Sequence, residues 1–179
     1  TPSHSILNPS SRAPHLSDMK IKFFSLIALV IVGSLTAAAQ SPSIVGTWAL
    51  TAADKLLPDG TRSHDYGDAP HGLVIFTADG HYSVQIYREQ RTKFASGDKT
   101  KGSPDEYKDA SLGMSVHFGK YSVDPGKGTI TFQIDRASFP NWDGTTQVRA
   151  FELKDDELSW KVPPRPDGST PITVLKRIN

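Results

Sequence analysis

The stretch "SIVGTWALTAADKLLPDGTR", residues 43–62, reads as one strand that runs into a turn. Residues 44–53 supply the apolar and β-branched side chains of a strand, and Pro58-Asp59-Gly60 supplies the turn chemistry that ends it. Inside the strand, Gly46-Thr47-Trp48 pairs a residue without a side chain with the largest one available. A tryptophan so early in a folded segment needs a surface to bury it, and no neighbour in sequence can provide one.

Downstream, turn signals recur at short intervals: Ala78-Asp79-Gly80, Asp124 to Gly128, Lys154-Asp155-Asp156 and Pro166-Asp167-Gly168. They separate runs at 72–78, 81–88, 115–123, 129–135, 146–153, 157–162 and 171–178, with a weaker run near 61–65. In "TITFQID", Ile130, Phe132 and Ile134 alternate with Thr129, Thr131, Gln133 and Asp135; "LSWKV" repeats the pattern with Leu158, Trp160 and Val162. Alternation of period two marks strands with one buried face, as in antiparallel sheets. Eight or nine such strands form an up-and-down barrel or a sandwich. The short connections place sequence neighbours side by side, which favours the barrel. One segment departs from this rhythm. Ser103, Pro104 and Glu106 form a capping box with proline at the first helical position, so a short helix is expected at 104–112, stopping near Gly113. The preceding "REQRTKFASGDKTKG", residues 88–102, reads as a polar, mobile loop.

Upstream, "MKIKFFSLIALVIVGSLTAAAQ", residues 19–40, has a basic start at Lys20 and Lys22, an apolar run from Phe23 to Leu35, and small residues at Ala37-Ala38-Ala39. This is the three-part pattern of a secretory signal peptide, and its apolar run is shorter than the ~20 residues of a membrane span. Residues 19–39 are therefore expected to be a signal cleaved after Ala39. Residues 1–18 are expected to be upstream read-through, with Met19 the true start. Residues 40–179 are then one barrel domain, exported by a Sec-type route to a periplasm or the outside, with no membrane anchor after cleavage.

The whole chain has 179 residues, a net charge of +1, 37% hydrophobic and 22% charged residues, and no cysteine. Such a charge balance excludes a nucleic-acid-binding surface of the usual basic kind. Without cysteine the core must hold without disulfides, and a structural zinc site is not expected. His64, His71, His81 and His117 follow no metal-ligand spacing, and no phosphate-binding loop or Gly-x-Ser-x-Gly elbow is present. No cofactor is expected.

With Gly46-Thr47-Trp48 on the first of about eight meandering strands and Arg177 in the last, "PITVLKRIN", the chain resembles the lipocalin and fatty-acid-binding superfamily. That resemblance implies that Trp48 closes the barrel floor and that Arg177 packs across it, an arrangement cation–π attraction would favour. A closer resemblance spans residues 44–178. "VGTWAL", "LPDGTR", "GLVIFTADGHYSVQIYR", "HFGKYSVD" and "FPNWDGTTQVRAFEL", in that order, are similar to the bacterial and fungal lipocalin-like domain family. It implies a small antiparallel barrel and leaves the activity open.

A ligand site in a barrel is an apolar cavity with a few fixed polar groups, so polar side chains that share a face with apolar ones are the candidates. Tyr82 and Arg88 align with Val84 and Ile86; Arg149 aligns with Phe151 and Leu153; His117 and Tyr121 align with Val123. The two arginines would hold a carboxylate or phosphate, and His117 and Tyr121 would orient a carbonyl or hydroxyl. Phe139 and Trp142, in a loop between strands, would form a lid. Three functions remain open on these residues. The first is a binder that carries or sequesters a small apolar or amphipathic molecule in the lumen. The second is an isomerase or cyclase that uses the lumen as a dry vessel, with His117 as a base. The third is a barrel filled by its own side chains.

Overall fold

The computed structural model describes residues 43–178; the signal-peptide and read-through assignments lie outside the described residues. The elements in chain order are β1 (Gly46–Leu56), β2 (Arg62–Ser63), β3 (His71–Phe76), β4 (His81–Tyr87), α1 (Pro104–Leu112), β5 (Met114–Asp124), β6 (Thr129–Ala137), β7 (Thr146–Lys154), β8 (Glu157–Lys161) and β9 (Thr170–Arg177). A single 3-10 turn, Pro140–Trp142, lies between β6 and β7. Every pairing is antiparallel, and from β3 to β9 each strand pairs with the next in sequence. β1 pairs with β3 on one side and with β9 on the other, which closes an eight-stranded barrel. The barrel rather than the sandwich is thus the outcome, because the first and last strands meet.

β2 is the ninth strand and stands outside the cylinder as a two-residue ladder on the end of β1. Of the weak run near 61–65 only Arg62 and Ser63 form strand, and His64 and Asp65 meet β1 through their side chains. His64 Nδ1 lies 3.0 Å from Asp54 Oδ1, and Lys55 Nζ lies 3.2 Å from Asp65 Oδ1.

Inward positions alternate as expected. Ile130, Phe132 and Ile134 on β6, Leu158 and Trp160 on β8, and Tyr82, Val84 and Ile86 on β4 are all buried. Two irregularities hold the register. β1 carries a bulge between Leu50 and Ala52, and β5 shifts between Phe118 and Gly119. Gly119 is needed there, since a Cβ on it would lie 2.1 Å from the Gln133 carbonyl oxygen of β6.

Trp48 is fully buried, and Arg177 is its cross-strand partner on β9. The guanidinium carbon sits 4.1 Å from the indole ring centroid. Arg177 Nη1 and Nη2 donate to the carbonyls of Val45 (2.8 Å) and Ser43 (2.7 Å), and Trp48 Nε1 donates to Ile44 (2.9 Å). The glycine of the Gly-x-Trp motif now has a physical reason: at φ +137°, a Cβ on Gly46 would lie 2.9 Å from Arg177 Nη1. Gly46 is the gap through which the arginine reaches over the tryptophan.

α1 has the capping box read from sequence: Ser103 Oγ accepts from Glu106 N, and Ser103 N donates to Glu106 Oε2 at 2.7 Å. It buries none of its residues. Its attachments are mostly polar: Arg88 Nη1 to Asp109 Oδ1 at 2.7 Å, Ala95 N to Glu106 Oε1 at 2.7 Å and Thr92 N to Asp109 Oδ2 at 3.3 Å. Residues 88–102 therefore fold back on the helix, with Phe94 edge-on to Tyr107, in place of the loose loop that their polarity suggested.

Candidate functional site

The barrel interior falls into two halves. The half nearer Trp48 is filled by rings in mutual edge contact. Phe76 meets Tyr121 at 4.8 Å and Trp160 at 6.4 Å between centroids; Phe132 meets Tyr82 at 4.8 Å and Trp160 at 5.8 Å. Such edge-to-face pairs are the favoured aromatic geometry and leave little room. In the other half the inward side chains shrink: Ala53 on β1, Ser115 on β5 and Thr173 on β9 replace rings. A cavity of about 130 Å³ results, closed in further by Ile86, Trp142 and Ile172. The filled-barrel reading therefore describes one half of the lumen.

Arg149 and His117 line this cavity. Arg149 is 5% exposed and His117 is 2% exposed. β7 puts Arg149 inside by strict alternation with Phe151, and the guanidinium lies over the Phe132 ring at 4.9 Å. Its Nη2 donates to Gln147 Oε1 at 2.7 Å, and its Nε has no acceptor among the described residues. Arg62, Arg88, Arg136 and Arg177 each pair with an aspartate, but no carboxylate pairs with Arg149 among the described residues. Burial lowers its pKa to about 10, so it remains a cation at neutral pH. A buried arginine without a counter-charge is uncommon, because desolvating an ion without a partner is costly.

His117 shares a 2.8 Å hydrogen bond with the Tyr82 hydroxyl through Nδ1. Burial, and then the neighbouring Arg149 charge, push the His117 pKa down to about 3, so the ring is neutral at physiological pH. Burial likewise pushes the Tyr82 hydroxyl up. Both groups are thus fixed, uncharged hydrogen-bonding groups, and neither is poised for proton transfer near neutrality.

The structure brings Tyr82, His117, Trp142 and Arg149 together. Trp142 contacts the His117 ring edge-on at 6.0 Å. Arg88 lies elsewhere: past the end of β4 it turns out to Asp109 of α1, and it does not line the cavity. Tyr121 lies in the filled half, its hydroxyl donating to the Thr77 carbonyl at 2.9 Å. Phe139 is 51% exposed on the outer side of Trp142, edge-on at 5.7 Å. Tyr66, Ser115 and Thr173 also line the cavity and were not singled out in the sequence. Tyr66 follows the two-residue strand β2, and no periodicity places it. Small inward residues signal a cavity only once their level in the barrel is known.

The chain belongs to the lipocalin-like domain family, whose family model matches residues 45–177. No curated protein matches it significantly. Among solved structures it is similar to a lipocalin-like protein from Bacteroides uniformis, at 13% identity over 75% of this chain and 97% of that one, TM-score 0.40. It is also similar to an uncharacterized protein from Bacteroides eggerthii, at 15% identity over 76% of this chain and 100% of that one, TM-score 0.40. A redesigned β-barrel matches at 14% identity over 75% of this chain and 91% of its own, TM-score 0.37. None of the three carries an argument about function.

Proposed function

We propose that this protein binds a small amphipathic molecule in the cavity of the barrel, holding an anionic head group against Arg149. The observation that carries this reading is the arginine itself: buried in the cavity wall, cationic, unpaired with any described carboxylate, and with Nε lacking an acceptor. A guest carboxylate would supply both the missing charge and the missing acceptor, and charge-assisted bonds of this kind are the strong ones. His117 stands beside it as a neutral partner that orients a polar atom, its ring held from behind by the Tyr82 hydroxyl. Ala53, Ile86, Trp142 and Ile172 take the apolar rest of the guest, beside the ion-paired Asp54, Lys55 and Asp65 that also line the cavity.

The volume fits a compact guest, since an apolar cavity of about 150 Å³ holds one benzene. Benzoate is accordingly a suitable probe, and benzamide is its uncharged counterpart. Calorimetric titration is expected to show benzoate binding well above benzamide, and Arg149→Met is expected to abolish the difference. Equal binding of the two probes, or benzoate binding untouched by Arg149→Met, would overturn the reading. The signal-like pattern at residues 19–39 supports the further reading that the protein works outside the cytoplasm. The intact mass of the exported protein checks it, with a chain beginning at Gln40 as the expected result.

A further inference from the structure

We propose that the guest is a two-part molecule whose second, apolar part lies outside the barrel wall, in a pocket that Trp142 separates from the inner cavity. This rests on the reading of the inner cavity given above. A second pocket, of about 190 Å³, lies between the last turn of α1 (Ser111, Leu112) and the 3-10 turn (Phe139, Trp142). Tyr66, Ser115 and Trp142 line both this pocket and the inner one, so the two adjoin at those residues.

The inner cavity alone is small for a specific ligand. Taken together, the two reach the lower end of the usual size of ligand sites, roughly 300 Å³. The outer pocket, alongside Tyr66 and three serines, gathers apolar side chains at the surface: Leu112 is 60% exposed and Phe139 51%, with Met114 and Trp142 beside them. Exposed apolar side chains gathered around a pocket mark a place where something apolar lies. Continuity with a cavity that ends at a buried cation makes the occupant the tail of the same guest. A separate partner would not need the shared wall.

The route in follows from how the walls are held. Behind Trp142 the backbone is fastened: Ala137 N donates to Asp143 Oδ1 at 2.8 Å, Gly144 N to the Ile134 carbonyl at 2.9 Å, and Thr145 Oγ1 to the Trp142 carbonyl at 2.7 Å. The Trp142 ring is half-buried, edge-on to His117 and Phe139, and is the side chain an entering guest has to displace. The facing wall, α1, buries no residue and is held by a few polar contacts and the Phe94–Tyr107 pair, the kind of attachment that opens before a buried one. The guest therefore enters between α1 and the 3-10 turn, head first past Trp142.

The test compares benzoate with 4-butylbenzoate on the full chain. Each buried methylene tightens binding about fourfold, so partial burial of the butyl group is expected to give tenfold or more over benzoate. Phe139→Ser and Leu112→Asp, both at exposed positions, are expected to collapse that ratio toward one. Trp142→Ala is expected to speed benzoate association. If benzoate binds but 4-butylbenzoate binds no better, or if the ratio survives both variants, the outer pocket is overturned while the inner site stands. An unchanged association rate in Trp142→Ala overturns the route. If neither compound binds, both readings fall together. A melting curve for each variant checks that it is folded.

Discussion

At one end of the barrel the connections are short: residues 77–80 join β3 to β4, 125–128 join β5 to β6, and 155–156 join β7 to β8. Trp48 and Arg177 seal that end, and rings fill the lumen behind them. At the other end the connections are long. Residues 88–113 carry α1, 138–145 carry the 3-10 turn, and 162–169 bridge β8 to β9. There the lumen holds small side chains, an unpaired buried arginine and a neutral histidine. The same eight strands serve both ends. What differs is where the sequence spends its large apolar residues, and the difference teaches that one end secures the fold while the other keeps a cavity and a buried charge at some cost in stability.

The sharpest way to break this contrast is to remove the two tryptophans in turn. Trp48→Ala is expected to cost roughly 3–5 kcal/mol through the cavity it leaves. Trp142→Ala, half-buried at the open end, is expected to cost well under half of that. Thermal melts of the two variants check it, and equal losses would erase the distinction between the ends. Next in size is Gly46→Ala, which forces a Cβ against Arg177 at a positive φ. A loss of about 1–3 kcal/mol is expected by denaturant titration.

A smaller effect of opposite sign is expected at the open end. Arg149→Met removes a buried charge without a counter-ion, and should leave stability unchanged or raise it by roughly 1–2 kcal/mol while removing benzoate binding. A marked loss of stability would mean that the arginine holds the barrel together.

The effect that is smallest at neutral pH, and appears only on acidification, is a pH dependence. The His117 pKa falls from an ordinary 6.5 to about 3 in the folded protein. Between those values the unfolded chain binds the extra proton, so His117 lowers stability progressively as pH falls from about 6.5 toward 3. Stability measured across that window is expected to sag less in His117→Gln than in the parent chain. Parallel curves would place the histidine in contact with water.

Much of the closed end is legible in the amino-acid sequence, because its signals are local. Ile130, Phe132 and Ile134 alternate visibly, and the turns announce themselves with Asp and Gly. The pairing of Trp48 with Arg177 is not local, and only the resemblance to a barrel family suggested it. Alternation placed Tyr82, His117 and Arg149 inside, which is where they lie. It failed for Arg88, one residue past the end of β4, where the alternation of strand faces no longer applies and Asp109 offers a partner. Tyr121 does face inward but at the wrong level, among the packed rings, because alternation fixes the side of a strand and not the height along the barrel. Tyr66 was invisible for the opposite reason, since it belongs to no regular strand.

The seam between β1 and β9 has a consequence for time as well as for strength. Arg177 donates to a carbonyl 132 residues earlier in the chain. The cylinder therefore cannot shut until β9 has been made and has found β1, a late and long-range search of the kind that slows folding. Until then β1 and β8 each present an unpaired edge, and such edges recruit other chains. The hairpins can form one after another as the chain appears, but the last step is a ring closure. Whatever delays it, from a frayed β9 to a substitution at Gly46, lengthens the interval in which the nascent protein is exposed to aggregation.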